Sequence, residues 1–192
     1  MVATELSQDE ILLETLMRTE GKAEIANGRI VHYMSTGGEP SYAGDQIAFS
    51  LHAYVERVQR GRAVGGNKGF RCNLPYRKSF SPDAAFYTGP RSAMEFYPEA
   101  PVFAVEVRSE GDYRSNMEVE LELKRADYFA AGTLVVWDVD LQNEEVVRSY
   151  SSQNPTKPQV FKRGETANAE PAALGWTMNV DRLFRPEWED QT

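Results

Sequence analysis

The sequence predicts an α/β (α+β) fold in which helices interleave with a mixed central sheet. Three observations carry this expectation. Val102–Arg108 is nearly all apolar, which suits a strand covered on both faces. Thr133–Val139 is a second such run. Between them, Asn116–Ala131 reads as a helix, with acidic residues at its start, Lys124 and Arg125 later, and Gly132 at its end. One helix is expected on each side of the sheet.

The remaining elements follow in order. Ser7 to Arg18 reads as a helix: Ser7 and Glu10 form a capping box, and Ile11, Leu12, Leu16 and Met17 share one face. Lys22–Ala26 and Arg29–Met34 flank Asn27-Gly28, a type I′ hairpin signal. Thr36–Pro40 is a turn-rich break. Helical spacing of Ile47, Leu51, Tyr54, Val55 and Val58 predicts a helix from about Tyr42 to Arg60, stopped by Gly61. Ala63 to Leu74 is expected to form a hairpin around Gly65–Gly69, followed by a strand at Pro82–Tyr87. Glu144–Ser151 should pair with the Thr133–Val139 strand after a turn at Gln142-Asn143. Asn154–Pro171 reads as polar loop with one strand at Gln159–Lys162, and Val180–Phe184 as a short helix. One domain over residues 1–192 is expected, with a flexible tail from about residue 186.

Composition narrows the function. The chain has 192 residues, 41% hydrophobic and 26% charged, with a mean hydropathy of −0.52. No apolar run approaches the roughly 20 residues of a membrane span, so no membrane partner is expected. The start, MVATELSQDE, lacks the basic and apolar regions of a secretory signal. The single cysteine, Cys72, excludes an intrachain disulfide and fits a reducing compartment, most simply the cytoplasm. Cys72 with His32 and His52 cannot build an ordinary structural zinc site. The net charge of −8 argues against a polyanion held by bulk electrostatics, although metal ions in an acidic site reverse the local field.

Four residues carry the chemistry. Glu106 lies between Val105 and Val107 in the apolar strand. A buried carboxylate there costs several kcal/mol unless paired or metal-bound. The alternatives are a sheet-edge position or a salt bridge to a neighbour such as Arg108. Asp83 follows Pro82, Lys124 lies on the helix after the Glu106 strand, and Glu24 lies on the first hairpin. Taken singly, each has a plain reading: turn residue, solvated helix lysine, exposed hairpin glutamate. Taken together, two carboxylates on adjacent strands suit a hard cation such as Mg²⁺, with a backbone carbonyl near Val107 as a further ligand. Metal-bound water, carboxylates and a lysine equip a site to hydrolyse a phosphodiester.

Pro82-Asp83, then Glu106 with a basic residue two positions on, resembles the PD-(D/E)XK nuclease superfamily. More closely, the chain resembles the Uma family of putative restriction endonucleases. The matching pieces are Glu24–Ile30, Ser81–Phe86, Ala100-Pro101 leading into Val105–Ser109, Lys124–Gly132, and the strand ending Val136–Asp140. The resemblance spans about residues 20 to 150, and Gly175-Trp176 to Phe184 fits as well. It implies a restriction-endonuclease-like mixed central sheet flanked by helices. It also implies a metal-dependent nuclease hydrolysing phosphodiester bonds of DNA by a Mg²⁺- or Mn²⁺-activated water, working as a homodimer. By the resemblance, Asp83, Glu106 and the Val107 main-chain oxygen hold the metal. Lys124 takes the role of the superfamily lysine, which has migrated to the helix. Glu24 lines the site, and Tyr128 shares the Lys124 face. Arg108 holds the usual lysine position; an arginine cannot act as a base but holds phosphate well.

The most basic segment is Arg57, Arg60, Arg62, Lys68, Arg71, Arg77 and Lys78. It reads as a solvated edge or as a phosphate-contacting ridge, with Arg71 and Lys68 as nucleic-acid contacts beside Arg108. Ser109-Glu110-Gly111-Asp112 departs from the family's usual Ser-Pro-Ser-Asp, which predicts a looser loop. The acidic helix start, Met117–Glu122, would repel a DNA backbone. The alternative function is a non-catalytic interaction module on the same scaffold, binding a protein or nucleic acid.

Overall fold

A computed structural model of the chain describes residues 6–186. The tail beyond Pro186, expected to be flexible, lies outside the described residues.

Helix α1 spans Gln8–Met17, and its N-terminus is closed by the expected Ser7–Glu10 capping box. Its packing is narrower than the pattern suggested: Leu16 is buried, whereas Ile11 and Met17 are exposed. Strands β1 (Ala23–Ala26) and β2 (Arg29–His32) pair antiparallel. Asn27 at φ 52° and Gly28 at φ 68° turn the chain between them, as a type I′ turn requires. This hairpin is a two-stranded sheet of its own.

Helix α2 (Gly38–Val58) begins four residues before the expected start at Tyr42. Pro40 falls in its first turn, where the missing N–H has no intrahelical partner to lose. Strand β3 (Arg62–Gly65) follows, then β4 (Phe70–Arg71), β5 (Ser79–Phe80), β6 (Ala84–Tyr87) and β7 (Phe103–Val107). The hairpin expected over Ala63–Leu74 does not form. β3 pairs with the distant β6, and β4 pairs with β5. Val64 and Ala63 reach the cores on opposite faces of the sheet, burial that a local hairpin at the surface would forgo.

Helix α3 (Met117–Ala130) links β7 to β8 (Val135–Val139), which lie parallel. Gly132, at φ +100°, ends the helix as expected. Strand β9 (Val147–Ser151) pairs antiparallel with β8. The segment read as loop then holds β10 (Asn154–Phe161) and β11 (Thr166–Asn168), and β12 (Thr177–Asn179) pairs with β11. β10 was hidden by its polarity and by Pro155 and Pro158. An outer strand tolerates both, because only its inner side must donate to the ladder. A short 3₁₀ helix at Val180–Leu183 closes the described fold.

The main sheet has the order β10-β9-β8-β7-β6-β3. Strand alternation sends Ala84, Phe86, Phe103, Val105 and Trp137 to one face, against Ile47 and Leu51 of α2. Ala85, Tyr87, Ala104 and Val136 face the other way, with Tyr128 of α3. One helix thus covers each face, as expected. Glu106 shares the parity of Ala104, so it points to the α3 side.

Candidate active site

Glu24, Glu106 and Lys124 meet at one ammonium. Lys124 Nζ lies 2.9 Å from Glu24 Oε1 and 2.9 Å from Glu106 Oε1. Three elements make this possible. The β1 hairpin docks on the β5 region through Ile25 N–H to Ser79 Oγ (2.8 Å) and Lys78 N–H to the Ile25 carbonyl (3.0 Å). That docking carries Glu24 inward, where it is fully buried. β7 supplies Glu106, and α3 supplies Lys124 across the sheet face.

Glu24 is satisfied on both oxygens. Oε1 also accepts the Ser81 N–H at 2.9 Å. Oε2 accepts from Arg77 at 2.7 Å and from the Tyr33 hydroxyl at 3.1 Å. Burial alone would raise the Glu24 pKa, but Lys124 and Arg77 outweigh it and hold the carboxyl below its usual range. Glu106 is less well compensated. Tyr128 donates to its Oε1 at 2.6 Å, while Oε2 has no hydrogen-bond partner among the described residues. Burial pushes its pKa up, and the attraction of Lys124 and Lys22 does not fully offset that. Burial would depress the Lys124 pKa, yet Glu106 and Glu24 hold it above the ordinary lysine range.

Asp83 stands just before β6, against α2 at Gly44. Its Oδ2 accepts the Val107 N–H at 2.8 Å, and its Oδ1 lies 2.7 Å from Lys22 Nζ. The backbone of Val107 thus links Asp83 to the strand of Glu106. Around this centre four carboxylates (Glu24, Asp83, Glu106, Asp127) meet three cations (Lys22, Arg77, Lys124).

Among the described residues, no three His, Cys, Asp or Glu side chains form a group suited to holding a metal ion. The donors expected from the sequence, Asp83, Glu106 and the Val107 main-chain oxygen, would make a pair of carboxylates plus a carbonyl. That set fits Mg²⁺, which takes one or two carboxylates and keeps several waters. The excess negative charge and the free Glu106 Oε2 fit a cation as well.

The other expected contacts lie elsewhere. Arg108 makes a two-pronged contact with Asp138, at 2.8 and 2.6 Å, and its third nitrogen lies 2.9 Å from Glu118. Its guanidinium is buried, so the Arg108–Asp138 fork ties β7 to β8 instead of facing solvent. Lys68 is exposed and Arg71 half-buried; neither bonds to the four central residues. The seven basic residues form no single ridge, because Arg77 is buried between Glu24 and Asp127. The loop after β7 is not loose: Glu110–Tyr113 is a 3₁₀ turn closed by Ser109 and Asp112. Tyr128 both packs and donates, stacking on Phe80 with centroids 4.0 Å apart. An open cavity of about 600 Å³ lies apart from this cluster, beside Tyr42, Arg163 and Phe184.

The sequence reading missed Lys22, Tyr33 and Arg77 as members of the cluster. Period-2 alternation could have flagged Lys22, two residues before Glu24 on the same strand face.

The model of the Uma2 family, described as putative restriction endonuclease, matches residues 8–181. The chain belongs to the Uma2 family. Among solved structures, a putative nuclease of Anabaena variabilis ATCC 29413, belonging to DUF820, superposes with a TM-score of 0.71. It is 21% identical, and the match covers 94% of this chain and 98% of that one, so the likeness is one of fold. No curated protein matches the chain. The Uma2 match extends the expected resemblance into the N-terminal helix and the C-terminal strands. No helix among the described residues is long and apolar enough to cross a membrane.

Proposed function

We propose that this Uma2-family chain is a metal-dependent nuclease that hydrolyses phosphodiester bonds of DNA. The observation that carries the reading is the tie between Asp83 and the Glu106 strand at Val107, with the Lys124 ammonium 2.9 Å from Glu106. In this reading Asp83, Glu106 and the Val107 main-chain oxygen hold Mg²⁺ or Mn²⁺. Bound there, the ion supplies a water of lowered pKa and neutralises phosphoryl oxygens. Lys124, fixed between two carboxylates, presents a permanent positive charge toward the negative charge that develops on the phosphate. Glu24 keeps Lys124 in place and charged. Tyr128 fixes the Glu106 carboxylate by its Oε1, leaving Oε2 for the cation. DNA is the substrate, a homodimer cutting both strands is the working unit, and the cytoplasm is the compartment.

The test is nicking of supercoiled plasmid by the purified chain with Mg²⁺ or Mn²⁺. Glu106→Ala and Lys124→Ala should each abolish it. Cleavage that survives both substitutions removes the assignment.

A second reading is favoured by the exposed Glu118, Glu120 and Glu122 along α3 and by the net charge of −8. They suit a protein partner better than free DNA, as in a non-catalytic interaction module. Calorimetry with Mg²⁺ separates the two, since a module needs no cation site that depends on Asp83.

A further inference from the structure

We propose that Lys22 occupies the cation seat at Asp83, so that its ammonium and a divalent ion are alternatives at one carboxylate oxygen. The inference rests on the reading of Asp83 as a metal ligand and assigns a task to a residue outside it. Lys22 Nζ lies 2.7 Å from Asp83 Oδ1, and the two side chains are only 17% and 14% exposed. The other oxygen, Oδ2, is held by the Val107 N–H at 2.8 Å. That donor belongs to β7 and cannot leave without moving the sheet. An incoming cation therefore meets Asp83 at Oδ1, where the ammonium already sits. Two positive charges at contact distance on one oxygen repel strongly, so one must leave.

The two lysines of the site differ in how freely they can move. Lys124 is buried on α3 and bridges two carboxylates. Among the described residues Lys22 pairs with one carboxylate, and it has a flexible four-carbon stem. Beside it lies the Tyr33 ring, whose centroid is 5.9 Å from the Lys22 ammonium. An aromatic face attracts a displaced ammonium and keeps it near the site. Lys124 is thus the fixed charge and Lys22 the exchangeable one. The expected consequence is a cation affinity below what Asp83 and Glu106 alone would give.

Titration calorimetry of the full chain with MgCl₂ tests this on wild type, Lys22→Met, Lys22→Arg and Asp83→Asn. Lys22→Met should bind Mg²⁺ about tenfold more tightly, equivalent to about 1.4 kcal/mol. Lys22→Arg, which keeps the charge, should stay near wild type, and Asp83→Asn should lose binding. Equal affinity for wild type and Lys22→Met, with binding lost in Asp83→Asn, overturns the role of Lys22 and leaves the metal reading standing. Absence of Asp83-dependent Mg²⁺ binding in every variant overturns both. A second measurement needs no variant: acetylation of wild-type Lys22 by acetic anhydride, read by peptide mass spectrometry. MgCl₂, compared with NaCl of equal ionic strength, should speed Lys22 acetylation several-fold and leave Lys124 unchanged. An unchanged or slower rate at Lys22 overturns the proposal.

Discussion

The main-chain N–H of Val107 donates to Asp83 Oδ2 at 2.8 Å. The bond joins the acidic residue ahead of β6 to the strand that carries Glu106. It makes the separation of the two carboxylates a property of the sheet and not of two free side chains. Asp83→Asn retains an acceptor for this N–H. The variant should therefore stay folded, within about 1 kcal/mol of wild type by urea denaturation, while cleavage is lost. Unfolding of Asp83→Asn would assign Asp83 to the scaffold.

Lys124 compensates two buried carboxylates at once. Lys124→Met should cost roughly 3–5 kcal/mol at neutral pH, the usual penalty for breaking a buried ion pair. The pH dependence follows from Glu24. Its folded pKa is lowered, so its stabilisation is present above the unfolded carboxylate pKa and is lost as pH falls through the folded one. Without Lys124 that folded pKa rises, and acid unfolding should begin at higher pH. Circular dichroism melts across an acid series measure the shift.

Glu106 has the opposite sign. Its folded pKa is raised, chiefly by burial. Its contribution to stability therefore weakens as pH rises from the unfolded carboxylate value through the folded one. Carbon-detected NMR of the Glu106 carboxyl should show titration above the free glutamate range, and added Mg²⁺ should lower it. Titration at or below the free value would contradict the burial argument.

Tyr128→Phe keeps the stack on Phe80 and deletes the donor to Glu106 Oε1. A hydrogen bond to a charged group is worth roughly 1.5–3 kcal/mol. A loss of that size in urea denaturation is expected, with a further rise in the Glu106 pKa.

Arg108→Ala leaves Asp138 buried and loses both prongs of its contact. It should destabilise the fold by roughly 3–5 kcal/mol. Arg108→Lys should recover only part, because an ammonium cannot reproduce the planar fork.

The sequence made much of this architecture legible for identifiable reasons. The apolar runs around Glu106 and Trp137 and the capped helix between them are dense local signals, and they fix which faces of the sheet are covered. Asn27-Gly28 marked its turn because few residues adopt two successive positive φ values. β3 was misread because its partner, β6, is distant in sequence and is set by burial across the sheet, which local spacing does not encode, whereas most of β10 was read as loop because it is a polar outer strand containing Pro155 and Pro158. Glu24, Asp83, Glu106 and Lys124 were legible through the family resemblance, and the structure brings them together. Lys22, Tyr33 and Arg77 were not, since an isolated basic or aromatic residue on a hairpin looks like any solvated one. Arg108 misled for the opposite reason: its place in the motif suggested phosphate, whereas its burial selected Asp138.

The β1–β2 hairpin forms a sheet separate from the six-stranded one. A chain beginning near Thr36 would keep every strand of that larger sheet, yet would forfeit Lys22, Glu24 and Tyr33 together. The larger sheet and the cluster around Lys124 therefore draw on different stretches of the chain. Loss of that one short stretch would strip the buried Lys124 and Arg77 of Glu24 and leave the Lys78 N–H without the Ile25 carbonyl, so the segment that completes the cluster also braces the body it docks on.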